Sequence, residues 1–144
     1  MARVAVIGGG WAGCGAAVAA AKAGAEEVVL FEKTDLLLGT GLVGGIMRNN
    51  GRFTATEEMI ALGAGDVLEA SDRVARHKDV IFPGHRHATL YDVTKIEPEI
   101  KRVLQSYGVK IKLISRVTDV ALEEVPAPGP QAAGHWTILG KRIP

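Results

Sequence analysis

Residues 4–24 read VAVIGGGWAGCGAAVAAAKAG, an apolar run, a glycine-rich turn and an alanine-rich segment without interruption. Five glycines fall between Gly8 and Gly15, and glycine concentrates where backbone turns sharply or comes close to something. Residues 2–7 are apolar and rich in β-branched side chains, the pattern of a short buried strand. Residues 12–23 are small, form helix well and include no proline, so a closely packing helix is expected, with Gly24 as its C-cap. Residues 27–31 (EVVLF) read as a second strand, closed by Glu32. Strand, turn, helix and strand within about 30 residues form a βαβ unit, whose strands are parallel and whose crossover is right-handed.

The turn carries a binding fingerprint as well. In the spacing Gly8-x-Gly10-x-x-Gly13, Gly8 permits the tight turn, Gly10 lets backbone approach a pyrophosphate, and Gly13 lets helix and strand pack closely. The helix amino terminus offers unpaired N–H groups and a positive dipole end to phosphates. Glu32 lies 19 residues beyond Gly13, where an acid accepts hydrogen bonds from ribose hydroxyls. A lone GxGxxG is weak evidence. With strand, helix, second strand and terminal acid in register, it points to a dinucleotide. Trp11 stands in the turn near the expected pyrophosphate, either shielding a ligand or capping the core. Cys14, just inside the helix, is at a place that can lower a thiol's pKa, although packing is the commoner role.

Farther along, residues 36–51 hold too many glycines for a stable helix and read as a loop with a short helical piece. Thr54 and Glu57 have capping-box spacing, opening a helix that weakens at Gly63 and Gly65 and resumes over residues 66–76. Residues 79–82 suggest a short strand stopped by Pro83-Gly84, and PGHRHATLYD reads as a polar loop. Thr94 and Glu97 make a second capping box before a helix whose apolar face carries Ile96, Ile100, Val103, Leu104 and Tyr107. Gly108 ends it. Val109, Ile111 and Leu113 then alternate as a strand, and residues 117–122 and 135–139 give two more around a turn at 126–134.

The segments VAVIGGGWAGCGAAVAAAKAG, VVLFEK and LLLGTGLVGG together resemble the amino terminus of FAD-dependent oxidoreductases with a glutathione-reductase-type FAD domain. Gly8, Gly9, Gly10, Ala12, Gly13, Glu32 and Lys33 match that pattern residue by residue, and Gly39-Thr40-Gly41 matches its second glycine segment approximately. SYGVKIKLISRVTDV is similar to the stretch whose valine backbone contacts adenine, which places Val117 there. The resemblance implies an α/β, Rossmann-like three-layer domain for FAD or NAD(P) with a parallel sheet, and favours FAD. Its implied cofactor-binding residues are Gly8, Gly10, Trp11, Ala12, Gly13, Glu32, Lys33, Gly39, Thr40 and Val117. It implies hydride transfer from a small-molecule substrate to the flavin, with catalytic residues unassigned. The later motif that closes over the flavin in this family has no match here, so residues 1–144 are expected to form a single, incomplete FAD-binding domain. Either the chain is a truncated piece or a larger partner subunit supplies the remainder, and a homo-oligomer is a further expected assembly.

Two rival functions are a non-catalytic nucleotide-binding or docking subunit and an NAD-dependent dehydrogenase. Glu32 argues against a 2′-phosphate on the ribose, which a carboxylate repels. With 17 basic and 16 acidic residues, a net charge of +1 gives no reason to seek nucleic acid. One cysteine excludes an intrachain disulfide or a cysteine-based zinc site. His85 and His87 lack a convincing third ligand, so no metal is expected, and Arg48 and Arg52 read as surface residues. A secretory signal needs an unbroken apolar core, which Gly8, Gly9 and Gly10 interrupt. No uncharged run is long enough to span a bilayer. A cytoplasmic protein is therefore expected.

Overall fold

The computed structural model describes residues 2–49, 56–82, 85–125 and 133–142. Strand β1 (Arg3–Ile7) leads through the glycine turn into helix α1 (Trp11–Lys22) and strand β2 (Glu27–Phe31). A 3-10 turn (Gly39–Gly41) and strand β3 (Arg48–Asn49) follow, then α2 (Thr56–Ala61), α3 (Gly65–Arg73), β4 (Ala75–Phe82) and β5 (His85–Tyr91). Helix α4 (Ile96–Ser106) leads to β6 (Lys110–Lys112), β7 (Ser115–Val125) and β8 (Ala133–Arg142).

The expected parallel sheet forms in the order β1-β2-β6, with Val4 opposite Val28, Val6 opposite Leu30, and Leu30 opposite Ile111. Side chains alternate across a strand, so Val4, Val6, Val28, Leu30 and Ile111 share the face that meets the helices. There they join Ala17 and Val18 of α1, Val67 and Ala70 of α3, and Ile100 and Leu104 of α4 in one core. Each fully buried Leu or Ile there contributes roughly 1.5–3 kcal/mol. The opposite face is barely covered: Ala5 is exposed and Ile7 is 55% exposed. Parallel strands ordinarily bury both faces.

Two further sheets depart from the sequence expectation. The order β3-β5-β4 is antiparallel, so the stretch read as a polar loop supplies strand β5. Ala88 and Tyr91 are buried in it, and its pairing partner is another segment of the chain, which local polarity does not reveal. The side chains of His85 and His87, like Arg52, Thr54, Pro83-Gly84 and residues 126–132, fall outside the described residues. Strands β7 and β8 form an antiparallel pair longer at both ends than expected, with a register shift between Val117 and Asp119.

The predicted helix over 54–76 is two helices, separated at Gly63 (φ +94°). The second capping box does not form, because Asp92 takes its role. Its carboxylate accepts from the Thr94 N–H (2.9 Å) and hydroxyl (2.6 Å), and its carbonyl accepts from the Lys95 and Ile96 N–H groups. The Thr94 hydroxyl and N–H hold the Asp92 carboxyl down at about 2. Glu97 instead lies buried and pairs with Lys101 at 2.6 Å. No helix among the described residues is long and apolar enough to cross a membrane.

Candidate functional site

The glycine turn sits at the carboxyl end of β1. Gly8 has φ +103°, a conformation that L side chains rarely adopt, and its N–H donates to the Phe31 carbonyl at 2.8 Å. A Cβ on Gly13 would lie 1.8 Å from the Gly8 carbonyl oxygen, so only glycine lets α1 approach the turn this closely. Among the described residues, a Cβ on Gly10 would meet nothing within 4 Å. Gly10 caps α1 without any side-chain hydrogen bond, and the first turn of α1 contains no acid. Acids occupy the first turn of α2 (Glu57, Glu58), α3 (Asp66) and α4 (Glu97, Glu99). Among α1–α4, α1 alone has no acid within its own first turn, whose N–H groups are available to an anion.

Glu32 stands across the turn at the end of β2, only 6% exposed. Its Oε2 accepts from the Gly9 N–H at 2.7 Å, and its Oε1 accepts from the Thr34 N–H (2.8 Å) and hydroxyl (2.9 Å). Burial pushes this carboxyl up, but the Thr34 and Gly9 N–H groups and the Thr34 hydroxyl outweigh it, leaving the group below its ordinary value. An ionised carboxylate accepts about four hydrogen bonds. The Gly9 N–H, the Thr34 N–H and the Thr34 hydroxyl take up most of that capacity, and the Lys33 N–H adds to them.

A cleft of about 220 Å³ opens beside Glu32, lined by Ile7, Gly8, Phe31, Glu32, Lys33, Ser115, Arg116 and Val117. Four of the residues singled out in the sequence, Gly8, Glu32, Lys33 and Val117, thus share one cavity although Val117 is far along the chain. The link from β6 to β7 makes this possible. Glu32 donates its N–H to the Lys112 carbonyl, and its own carbonyl accepts from the Ser115 N–H at 2.8 Å. The Thr34 carbonyl accepts from the Ile114 N–H at 2.9 Å, and Ile114 is held at φ +52°. A left-handed β-branched residue costs of order 1–3 kcal/mol, so the surrounding hydrogen bonds impose this bend. Ser115 and Arg116 are site-lining residues that the sequence reading missed; their place beside Val117 was the available signal.

Gly10, Trp11, Ala12 and Gly13 lie at the start of α1 rather than in the cleft. Gly39 and Thr40 belong to the 3-10 turn, which is tied to the first glycine loop by the Leu38 N–H donating to the Gly9 carbonyl at 2.7 Å. Leu38 itself is buried at φ +70°. Trp11 packs on the core and on Tyr91, with ring centroids 5.6 Å apart, and its Nε1 is buried without a hydrogen-bond acceptor among the described residues. Cys14 is fully buried, and burial, with the Glu32 and Glu97 carboxylates adding to it, pushes its thiol up to about 12. Its side chain packs in the core.

The N–H groups at the start of α1, the room over Gly10 among the described residues and the carboxylate of Glu32 fit a dinucleotide. The family model of glucose inhibited division protein A matches residues 3–137. No curated protein matches by sequence. Among solved structures, THI4 of Thermovibrio ammonificans is 21% identical with a TM-score of 0.56, over 86% of this chain and 42% of that one. The p-nitrophenol 4-monooxygenase PnpA of Pseudomonas putida DLL-E4 is 17% identical with a TM-score of 0.56, over 86% of this chain and 34% of that one. Aklavinone-11 hydroxylase, in a ternary complex with FAD and aklavinone, is 16% identical with a TM-score of 0.54, over 85% and 27%. The chain therefore spans less than half the length of each of these structures. Its α/β fold with a parallel sheet is the one these structures share. The chain belongs to the glucose inhibited division protein A family.

Proposed function

We propose that the chain is the FAD-binding portion of an oxidoreductase that takes hydride from a small-molecule substrate. The observation that carries this reading is the start of α1, with no acid in its first turn and, among the described residues, open space at Gly10, beside an ionised Glu32. When bound, FAD supplies the ring that accepts hydride; the chain binds and orients. In this reading the N–H groups of Trp11, Ala12 and Gly13 hold the diphosphate, with Gly10 giving it room. Glu32 accepts from the adenosine ribose, the Val117 backbone meets adenine, and Lys33 lines the mouth of the cleft. Gly8 shapes the turn, while Gly39 and Thr40 bound the diphosphate from the second glycine segment.

Residues 1–144 act in this reading as one FAD-binding unit of a cytoplasmic protein. The uncovered sheet face around Ile7 supports a larger partner or a second copy lying against it. The spectrum of the chain purified from its natural host tests the proposal: oxidised-flavin absorbance released as FAD on denaturation is expected. A colourless preparation that also fails to take up added FAD overturns it.

A further inference from the structure

Tyr91 ends β5, far in sequence from either glycine segment, and is 3% exposed. Its hydroxyl donates to the Gly41 carbonyl at 2.6 Å, with the Ile46 carbonyl at 3.3 Å. Its ring packs on Trp11, the first residue of α1. Gly41 fills the space between them: a Cβ there would lie 2.3 Å from Trp11 Nε1 and 2.8 Å from Tyr91 Oη. The Gly39–Gly41 turn is thus fastened at two points, by Tyr91 at its end and by the Leu38 N–H on the Gly9 carbonyl at its start. None of these groups lines the cleft that holds Glu32 and Val117.

We propose that the Tyr91 hydroxyl is a positioning group for the dinucleotide site, holding the Gly39–Gly41 turn against the amino terminus of α1 and so setting where that turn meets the diphosphate. The inference rests on the FAD-binding reading above. It makes the antiparallel sheet that carries β5 part of the cofactor site: a displacement of β5 shifts the turn while leaving the adenosine cleft in place. Burial pushes the Tyr91 phenol up, so it stays a hydroxyl donor at physiological pH.

A purely structural tyrosine would affect every ligand alike, whereas a turn-positioning one discriminates by phosphate number. Calorimetric titration of the whole chain with FAD, ADP and AMP, for wild type, Tyr91→Phe and Gly41→Ala, separates the two. For Tyr91→Phe, affinity for FAD and ADP is expected to fall about tenfold, the scale of one hydrogen bond to a buried acceptor, with AMP affinity unchanged. Gly41→Ala, which pushes the turn off Tyr91 by crowding, should give the same selectivity. Unchanged FAD and ADP affinity in Tyr91→Phe overturns the inference, as does an equal loss for all three nucleotides accompanied by a lower melting temperature. A wild-type chain that binds none of the three overturns the FAD-binding reading itself, and this inference with it.

Discussion

Gly13→Ala is expected to lower the stability of the chain by about 3 kcal/mol or more, at or beyond the upper end of ordinary overpacking penalties. The added Cβ would sit 1.8 Å from the Gly8 oxygen and 2.9 Å from the Gly8 carbon, and both are backbone atoms that no rotamer change can move. Relief requires α1 to lift away from β1, which opens the core at Cys14, Ala17 and Val18, all fully buried. For a domain of this size that corresponds to a melting temperature lower by about 10 °C. Thermal unfolding followed by circular dichroism measures it, and a melting curve coincident with wild type would show that α1 is not held at this distance.

The second large effect belongs to Glu32. Glu32→Gln keeps the shape but replaces an acceptor-only group with one that must present two donors. The Gly9 N–H, the Thr34 N–H and the Thr34 hydroxyl all point at the present carboxylate, so at least one of the three loses its acceptor. Hydrogen bonds to a charged group contribute about 1.5–3 kcal/mol each, and a loss of roughly 2 kcal/mol is expected at neutral pH. The pH dependence has a definite sign. Because the folded-state carboxyl lies below its ordinary value of 4.5, its contribution is present above that value and is lost as pH falls through the lower folded-state value. Wild type should therefore lose stability over Glu32→Gln between neutral and acid pH, and the two should converge in strong acid. Denaturant unfolding at several pH values measures this; a wild-type advantage that grows as pH falls would contradict the assignment of Glu32 as the ionised acceptor.

How much of this was legible in the sequence depended on how local the cause was. The β1-α1-β2 unit follows from residues in immediate succession, and the glycine spacing anticipated both the positive φ at Gly8 and the close approach at Gly13. Strand β5 was not legible, since its buried positions Ala88 and Tyr91 acquire meaning only once β3 and β4 lie beside it. Tyr91 went unnoticed for the same reason: its hydrogen-bond acceptor is on Gly41, 50 residues away. At the start of α4 two local patterns competed. Asp92-x-Thr94 formed a turn through its own carboxylate, while Glu97 was drawn into the core beside the Leu37 N–H, and spacing alone could not rank them. The resemblance singled out Val117, which lines the cleft, whereas its neighbours Ser115 and Arg116 emerged only from the bend at Ile114.

In the proposed reading, the start of α1 receives a diphosphate over Gly10. This is tested most directly by titrating wild type and Gly10→Ala with FAD and melting both. Gly10 has an extended backbone that alanine adopts without strain (φ −71°, ψ −176°), and its Cβ would touch no atom of the described residues. Gly10→Ala is therefore expected to melt like wild type and to bind FAD about tenfold more weakly or worse, a difference of roughly 1.4 kcal/mol or more. Equal FAD affinity in the two proteins would contradict the account.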